Sequence, residues 1–318
     1  MEEINCNLCS ADDPQLIGVV HDIAFDIPGE FPLVRCRRCG LIYLKERPTP
    51  EEIGNYYPSS YKPYRQALED ERYFLIRWAR KRNIRKRRKV IEKYCPQIPG
   101  RILDVGCSTG IFLNEMHQAG WKTKGVEINQ AAANYARQRF GLEIDNGTLL
   151  DTKFHPKSFK AITFWDVIEH TYNPLKTLQY TNYLLEDNGI VALTIPHWNS
   201  LDRTLFGMEW IGFDAPRHLY VFPQNTLQDM LEQAGFRFLK AWSGLGGYYT
   251  FLASLRLWLR LHLPKQGRTI MNILEVPGIR FFFQPFFSVN DWLGIGGTLV
   301  VIALKTNHLD DYEKKSNQ

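Results

Sequence analysis

Strand-like and helix-like segments alternate from Gly100 onward, and this alternation constrains the fold more than any other feature. Apolar runs rich in β-forming residues occur at "RILDV", "KTKGVEI", "AITFWDV" and "IVALTIP", with helix-compatible stretches between them. Later, "FRFLKAW" and "GTLVVIALK" show the same strand pattern. Such alternation is typical of a parallel sheet whose strands are joined by crossover helices. The sequence therefore predicts an α/β domain over residues 100–306.

A glycine-containing turn, "LDVGCSTG", follows the first of these strands and precedes a helix-like stretch. Turns of this kind let backbone amides approach a ligand closely. Gly106 and Gly110 are present without the middle glycine of a dinucleotide site, and Asp104 precedes them. Glu127 ends the second strand, 23 residues after Asp104, where an acid can accept both ribose hydroxyls. A ligand with a ribose, an ammonium group and no phosphate fits this pattern, and S-adenosylmethionine has these features.

Four motifs occur in the order found in class I S-adenosylmethionine-dependent methyltransferases, which the chain resembles from about residue 101 to residue 305. "ILDVGCSTG" is similar to their first motif and "GVEIN" to their second. "FWDVIEHTYNP" resembles the D-x-x-E-H-x-x-x-P signature of the branch that contains the ubiquinone O-methyltransferases. "PRHLYVFPQNTLQDMLEQAGF" is similar to that branch's segment after the fifth strand. The resemblance implies a Rossmann-like, seven-stranded methyltransferase sheet, mostly parallel with an antiparallel last strand.

The same resemblance implies a set of cofactor contacts. These would come from Asp104, Gly106, Gly110, Glu127 and Asp166, with Thr148 and Leu149 flanking the adenine. Capping of the following helix is the alternative role for Asp104. Two positions depart from the family pattern: Ser108 replaces the usual middle glycine, and Lys160 replaces an acid that opens the fourth strand.

His170 is the first candidate for a catalytic base, because it follows the fourth strand at the edge where open α/β sheets bind ligands. A hydroxyl acceptor needs such a base. His218 in "PRHLY" is the second candidate, and a capping or core role is the alternative for both. In the ubiquinone methyltransferases the D-x-x-E-H pattern resembles a divalent-metal site, which here implies Asp166, Glu169 and His170 as ligands of a candidate Mg²⁺ or Zn²⁺. The alternative to metal binding is that Glu169 contacts the cofactor or the backbone.

Four of the six cysteines form two pairs, Cys6-x-x-Cys9 and Cys36-x-x-Cys39, with 26 residues between the pairs. Two intervening residues let both thiolates of one turn reach a single tetrahedral ion. A β-hairpin over "HDIAFDIPGEFPLV" would close the gap. We therefore predict a structural zinc ribbon over residues 1–45, with its own core. Four sulfur ligands leave no open coordination position, so this zinc is not expected to be catalytic.

Residues 46–99 are predicted to form a connector and a basic helical segment that runs from about residue 65 to residue 95. Residues 72–93 contain eleven Lys and Arg against one acid. A solvated helix face is the ordinary interpretation of such a run. An anionic acceptor, RNA or an acidic membrane surface are the other partners that would match it. Nucleic acid is disfavoured because no N-P-P-Y motif and no cysteine follow the fourth strand, where "FWDV" stands.

The predicted activity is methyl transfer from S-adenosylmethionine to a small-molecule or lipid-linked acceptor. A sugar or glycan hydroxyl is the expected acceptor, on the basis of resemblance to bacterial methyltransferases with N-terminal ribbons. RNA methylation is the main alternative. A non-catalytic S-adenosylmethionine-binding module is the other, and the intact Asp104 and Glu127 argue against it.

An apolar segment at residues 245–292 is predicted as a helical insertion before the last strand, and residues 307–318 as a polar tail. "YYTFLASLRLWLRLHL" and "IRFFFQPFF" are too short or too charged to cross a bilayer. A helix of this composition can lie in the headgroup layer, with Trp258 as one contact. The acidic N-terminus, "MEEINCNLCS", has no apolar leader, so we expect a cytoplasmic protein that touches the inner face of the membrane. The alternative is that this apolar segment covers the edge of the sheet or forms a homodimer interface.

Overall fold

The computed structural model describes residues 1–58, 73–95, 99–274, 276 and 278–306. The first part of the predicted basic helix, before residue 73, and the predicted tail at 307–318 lie outside the described residues. Its strands are β1 Glu2–Glu3, β2 Pro14–Val20, β3 Phe31–Cys36, β4 Ile42–Leu44, β5 Glu46–Arg47, β6 Arg101–Val105, β7 Lys122–Glu127, β8 Ile144–Asn146, β9 Phe159–Trp165, β10 Leu185–Pro196, β11 Tyr220–Val221, β12 Phe236–Ser243 and β13 Thr298–Lys305.

Helices alternate with the strands of the larger sheet and then form an insertion. They are α1 Phe74–Tyr94, α2 Ile111–Gln118, α3 Gln130–Phe140, α4 Pro174–Leu184, α5 Leu201–Phe206, α6 Gln224–Gln233, α7 Gly247–His262, α8 Pro264–Leu274 and α9 Ile279–Trp292. The last three lie between β12 and β13, which confirms the predicted helical insertion. Within the described ranges, no helix combines the length and the apolar character that a bilayer crossing needs.

The larger sheet has seven strands in the order β12-β13-β10-β9-β6-β7-β8. β13 runs antiparallel to both of its neighbours, and the pairs from β10 to β8 are parallel. The central strands β6, β9 and β10 are apolar along most of their length because helices cover both faces of a parallel sheet. The predicted methyltransferase sheet with an antiparallel last strand is confirmed.

The N-terminal region forms the expected hairpin, with β2 antiparallel to β3 and β3 antiparallel to β4. This small sheet takes its fourth strand, β11, from the α/β region, where Tyr220 pairs with Tyr43 and Val221 with Ile42. One buried apolar cluster then contains Leu41 and Tyr43 together with residues of the larger sheet. The expectation of a separate ribbon core is wrong, because β11 covers the β4 edge of this small sheet and the apolar residues of the sheet join a cluster with the larger one.

Candidate functional site

The loop after β6 is shaped by two glycines. Gly106 and Gly110 have φ of +68° and +75°, a backbone conformation that side chains rarely adopt. A Cβ on Gly106 would lie 2.6 Å from Cγ2 of Val167, and one on Gly110 would lie 2.8 Å from Cβ of Ala136. Both glycines are therefore required by the close packing of the loop, which also lies directly against the segment that carries His170.

Glu127 lies beside this loop at the end of β7 and is 3% exposed. Its Oε2 accepts a hydrogen bond from the Ser108 amide at 2.7 Å, and its Oε1 accepts one from the Asn129 amide at 2.7 Å. Burial raises the pKa of this carboxyl, while the amide donors act in the opposite direction. Ser108 has a positive φ of 51°, so the residue that replaces the family's glycine keeps the glycine-like backbone.

Asp104 is buried at the end of β6, where its Oδ1 accepts a hydrogen bond from the Thr163 hydroxyl at 2.6 Å. Burial raises the pKa of the Asp104 carboxyl to about 7, and the nearby Arg87 guanidinium partly offsets this. The structure therefore brings Asp104, the glycine loop and Glu127 together in the arrangement that the sequence predicts.

The predicted adenine contacts fall on a short 3₁₀ turn at Leu149–Asp151. The Thr148 hydroxyl donates to Oδ2 of Asp151 at 2.6 Å. Leu149 is 2% exposed, and its side chain packs in the main apolar cluster. Leu149 is therefore part of the core, while the exposed Thr148 offers the polar edge of the turn.

Asp166 follows β9 with a positive φ of 60°. Its Oδ1 accepts from the Thr194 hydroxyl at 2.8 Å, and its Oδ2 accepts from Nη2 of Arg87 at 3.4 Å. The Arg87 guanidinium also lies 4.9 Å from the centre of the Trp165 ring. Sequence reasoning missed Arg87, because it is one of many basic residues on α1 and only the packing of that helix places it here.

Glu169, His170 and His218 form the second part of the site. Glu169 and His170 lie in a 3₁₀ turn after β9, and His218 comes from the segment before β11. Their ligand atoms all lie within 4.8 Å of one another, and the two imidazole rings meet edge to face at 4.6 Å. The structure thus brings both predicted histidines into one cluster, although 47 residues separate them in the chain.

Backbone carbonyls fix the hydrogen-bonding state of both imidazoles. Nδ1 of His170 lies 2.9 Å from the Arg217 carbonyl, and Nδ1 of His218 lies 2.9 Å from the Gly212 carbonyl. A carbonyl only accepts, so each Nδ1 carries the hydrogen and each Nε2 keeps its lone pair. Burial and the adjacent His218 lower the pKa of His170 to about 3, and burial lowers the pKa of His218. Both rings are neutral at pH 7.

Glu169 is fully buried, and neither of its carboxyl oxygens has a partner among the described residues. Burial, with Asp166 nearby, raises the pKa of this carboxyl well above its usual range. A buried carboxyl with two unmatched oxygens needs a proton, a donor or a cation.

A metal trio of Asp166, Glu169 and His170 is not the group that the structure assembles. His218 takes the third position, while Asp166 is engaged by Thr194 and Arg87. Two imidazole nitrogens and one carboxylate suit Zn²⁺ or another transition metal better than Mg²⁺, which prefers oxygen ligands. The predicted Mg²⁺ gains no support from this donor set.

The four N-terminal cysteines come together as predicted, with all Sγ atoms within 4.8 Å of one another. Sγ of Cys6 lies 3.3 Å from that of Cys39, and Sγ of Cys9 lies 3.5 Å from that of Cys36. Four sulfurs around zinc at about 2.3 Å would be spaced by about 3.8 Å, so the cluster fits that ion. All four thiols are free of disulfides.

Comparison with known proteins places these features in a family. Residues 75–241, just over half of the 318-residue chain, match the family described as "Methyltransferase domain". A ubiquinone biosynthesis O-methyltransferase of Actinobacillus pleuropneumoniae serotype 7 (strain AP76) is 29% identical over 136 residues, which cover 40% of this chain and 56% of that protein. The enzyme of the same name from Azoarcus sp. (strain BH72) is 27% identical over 142 residues, covering 43% and 59%. The chain thus spans a little over half the length of these curated relatives.

Solved structures share the fold at low sequence identity. The [4+2]-cyclase SpnF superposes with a TM-score of 0.53 at 16% identity, covering 81% of this chain and 97% of that one. The 1,6-didemethyltoxoflavin-N1-methyltransferase of Burkholderia thailandensis, solved with S-adenosylhomocysteine, superposes with a TM-score of 0.50 at 13% identity, covering 93% and 100%. These likenesses concern the fold alone. Together with the family match and the strand order, they confirm the expected class: the chain belongs to the S-adenosylmethionine-dependent methyltransferase family.

Proposed function

We propose that this protein transfers the methyl group of S-adenosylmethionine to a hydroxyl of a small or lipid-linked acceptor. The observation that carries the proposal is the pair of neutral imidazoles, His170 and His218, in a cluster whose 3₁₀ turn follows Val167, the residue that packs against Gly106 of the glycine loop. Asp104 and Glu127 would hold the ammonium group and the ribose of the cofactor. A hydroxyl placed between the loop and the imidazoles would meet both a methyl donor and a proton acceptor.

When bound, S-adenosylmethionine supplies a sulfonium methyl group that is already electrophilic. The protein therefore contributes mainly alignment, together with a base for the acceptor. In the transfer, the methyl carbon would exchange its bond to sulfur for a bond to the acceptor oxygen, leaving a neutral thioether, and Nε2 of His170 would take the hydroxyl proton. The low pKa of His170 disfavours storing this proton on the ring, so the proton would pass on to solvent after the transfer.

The same three side chains would hold a divalent ion of the zinc type, which would lower the pKa of a coordinated acceptor hydroxyl. Because the carbonyls of Arg217 and Gly212 orient the two rings from behind, the cluster has the outer hydrogen bonds typical of metal-bound histidine. Activity measured after chelation, and again after addition of Zn²⁺ or Mg²⁺, separates this mode from unassisted base catalysis.

An apolar cavity of about 330 Å³ supports an acceptor that carries a hydrocarbon chain. It lies between the ribbon hairpin, the 208–215 segment and α7. Phe213 and Ala215 line its wall, on the same short segment that holds His218 in place. Among its lining residues are Val20, Ile23, Met208, Phe213, Ala215 and Leu257. We propose that this cavity receives hydrocarbon while a sugar or glycan hydroxyl of the same acceptor reaches the imidazoles.

An exposed aromatic surface supports contact with a membrane. Phe282 and Trp292 of α9 are both 81% exposed, and Phe74 of α1 is 72% exposed. Trp78 of the basic helix lies 6.1 Å from Phe281, which joins this face of α9 to α1. Apolar rings next to clustered Lys and Arg suit the headgroup layer of an anionic leaflet. Trp258, the contact expected from the sequence, is partly buried and packs against an apolar cluster, so we assign the membrane contact to Phe282 and Trp292.

Methyl-labelled cofactor and fractionated cell extract test the proposed acceptor. Label in lipid-linked or glycan material is expected with the wild-type chain and should be reduced in Glu127→Ala at limiting cofactor. Label in RNA would instead support the nucleic-acid alternative. Tight cofactor binding with no label in any fraction would leave only a binding module.

Flotation with vesicles tests the membrane contact separately. Binding to anionic vesicles is expected, and it should weaken as salt rises because charges are screened. Trp292→Glu should abolish it, whereas Tyr183→Glu, a matched change at an exposed aromatic of α4, should not. A wild-type chain that stays unbound to every vesicle and migrates as a dimer would assign this face to a homodimer.

A further inference from the structure

A buried ion cluster joins the N-terminal region to the acceptor side of the site. Arg217 is 1% exposed, and both of its terminal nitrogens donate to the Asp22 carboxylate at 2.8 Å. Its Nε and Nη2 donate to the two oxygens of Asp214 at 3.0 and 2.6 Å. A buried guanidinium is strongly destabilising when one partner is removed, so Arg217 depends on these carboxylates for its position.

Asp22 belongs to the ribbon region, in the loop that joins β2 to β3. Its Oδ1 also accepts the amides of Ala24 and Phe25 at 3.1 and 3.0 Å, which fixes the carboxylate within its own loop. The bidentate pairing with Arg217 spans 195 residues of sequence. Planar, two-point pairing of this kind sets orientation as well as distance.

Arg217 in turn contacts the acceptor side of the site through its backbone. Its carbonyl accepts the Nδ1 hydrogen of His170 at 2.9 Å, and the next residue in the chain is His218. A second connection follows the backbone: Leu44 donates to the Leu219 carbonyl at 3.1 Å, and Leu219 donates to the Glu169 carbonyl at 2.9 Å. Side-chain and backbone links from the ribbon region therefore converge on the three residues of the acceptor cluster.

We propose that Asp22 is a positioning residue for methyl transfer, acting through Arg217 on His170 and His218. The ribbon region is then a working part of the acceptor site and more than a separate structural module. This inference rests on the proposed function for its kinetic consequence. The orientation of the two imidazoles, however, can be measured whether or not an acceptor is known.

Asp22→Asn is the principal test, because it keeps the shape of the side chain and removes the charge that Arg217 requires. With methyl-labelled S-adenosylmethionine and the cell-extract fraction that the wild type labels, we expect the labelling rate to fall about tenfold or more, since small misplacements at a reacting centre are costly. The cofactor Kd should stay within about twofold and zinc content should stay unchanged. Asp26→Asn is the matched control, because Asp26 lies in the same loop but forms an exposed ion pair with Arg260.

Side-chain NMR of the histidines gives the readout that a general loss of stability would not produce. In the wild type, His170 and His218 should show hydrogen on Nδ1, and Asp22→Asn should disturb this pattern while Asp26→Asn preserves it. If no acceptor is ever methylated, the proposed function fails, yet a disturbed pattern would still support the positioning role. An unchanged histidine pattern with an unchanged labelling rate overturns the inference, and so does a lower melting temperature with an unchanged pattern.

Discussion

The proposed cofactor side and the proposed acceptor side of this site are assembled in different ways. The cofactor side runs through 24 consecutive residues, from Asp104 to Glu127, and depends on backbone shape at two glycines. The acceptor side collects side chains from three distant segments, around residue 22, at 169–170 and at 214–218. The geometry of a contiguous motif is set by neighbouring residues in the chain. A cluster assembled from distant segments forms only when the whole fold has formed.

This difference predicts opposite responses to damage in the N-terminal region. The acceptor cluster is connected to the ribbon by Asp22 and by the pairing of β4 with β11. The glycine loop and Glu127 are held by contacts within the α/β region.

Disruption of the proposed zinc site should have the largest effect. Structural zinc contributes on the order of 10 kcal/mol of binding free energy, which is comparable to the whole stability of a domain. Cys36→Ser should therefore lower the melting temperature by about 10 °C or more. Because the ribbon shares its apolar cluster with the larger sheet, we expect one unfolding transition and not two. Calorimetry and metal analysis, with one zinc expected per wild-type chain, provide the measurement.

Cys95→Ser is the control for this prediction, since Cys95 is buried outside the four-cysteine cluster. It should keep one zinc per chain. Two separated transitions in Cys36→Ser would restore the view of an independent ribbon, and absence of zinc from protein prepared under reducing conditions would leave the cysteine cluster unexplained.

Loss of His170 should affect turnover and spare the cofactor side. We expect His170→Ala to reduce kcat by about 100-fold, the typical contribution of a positioned base. Cofactor affinity should change little, because the hydrogen bonds of Asp104 and Glu127 are made with other residues and not with the His170 ring. His155→Ala, at an exposed histidine, is the control. Near-normal turnover would transfer the role to His218 or show that no base is needed.

Loss of Glu127 should weaken cofactor binding and spare the acceptor side. Glu127→Ala removes the acceptor of the Ser108 and Asn129 amides as well as the proposed ribose contact. Calorimetric affinity for S-adenosylmethionine should fall at least about tenfold, or about 1.4 kcal/mol. Glu143→Ala, at an exposed carboxylate, should bind normally. Equal affinity in Glu127→Ala would remove this residue from the site.

The contrast between the two sides also explains how far the sequence could predict the molecule. Six of the seven strands, the glycine loop and Glu127 depend on local pattern, and the structure has them where the pattern places them, whereas the three-residue β8 was implied only by the family resemblance. Arg217 sits in "APRHLY", where its sequence neighbours give no sign that it is buried. Its burial becomes visible only when Asp22, 195 residues earlier, is brought against it. Similarly, two-residue β11 has too little pattern to predict its pairing with the ribbon.

The smallest expected effect is the pH dependence of cofactor binding, which arises on the cofactor side alone. Burial raises the pKa of Asp104 to about 7, so this carboxyl is mostly ionised above pH 7 and mostly protonated below it. Its attraction for the cofactor ammonium should therefore be present at higher pH and be lost as pH falls through 7. The cofactor's own amine loses its proton above about pH 8, which limits the gain on that side.

Combining the two titrations, we expect affinity to be about twofold weaker at about pH 6.5 than at about pH 7.5. Asp104→Asn is the decisive variant, because its amide oxygen can still accept from the Thr163 hydroxyl while the charge is absent. It should bind more weakly at every pH and show no loss of affinity on the acid side. If Asp104→Asn still loses affinity on the acid side, the titrating group is Glu127, because burial also raises the pKa of Glu127. The carboxylate that attracts the cofactor ammonium would then be the one on β7 and not the one on β6.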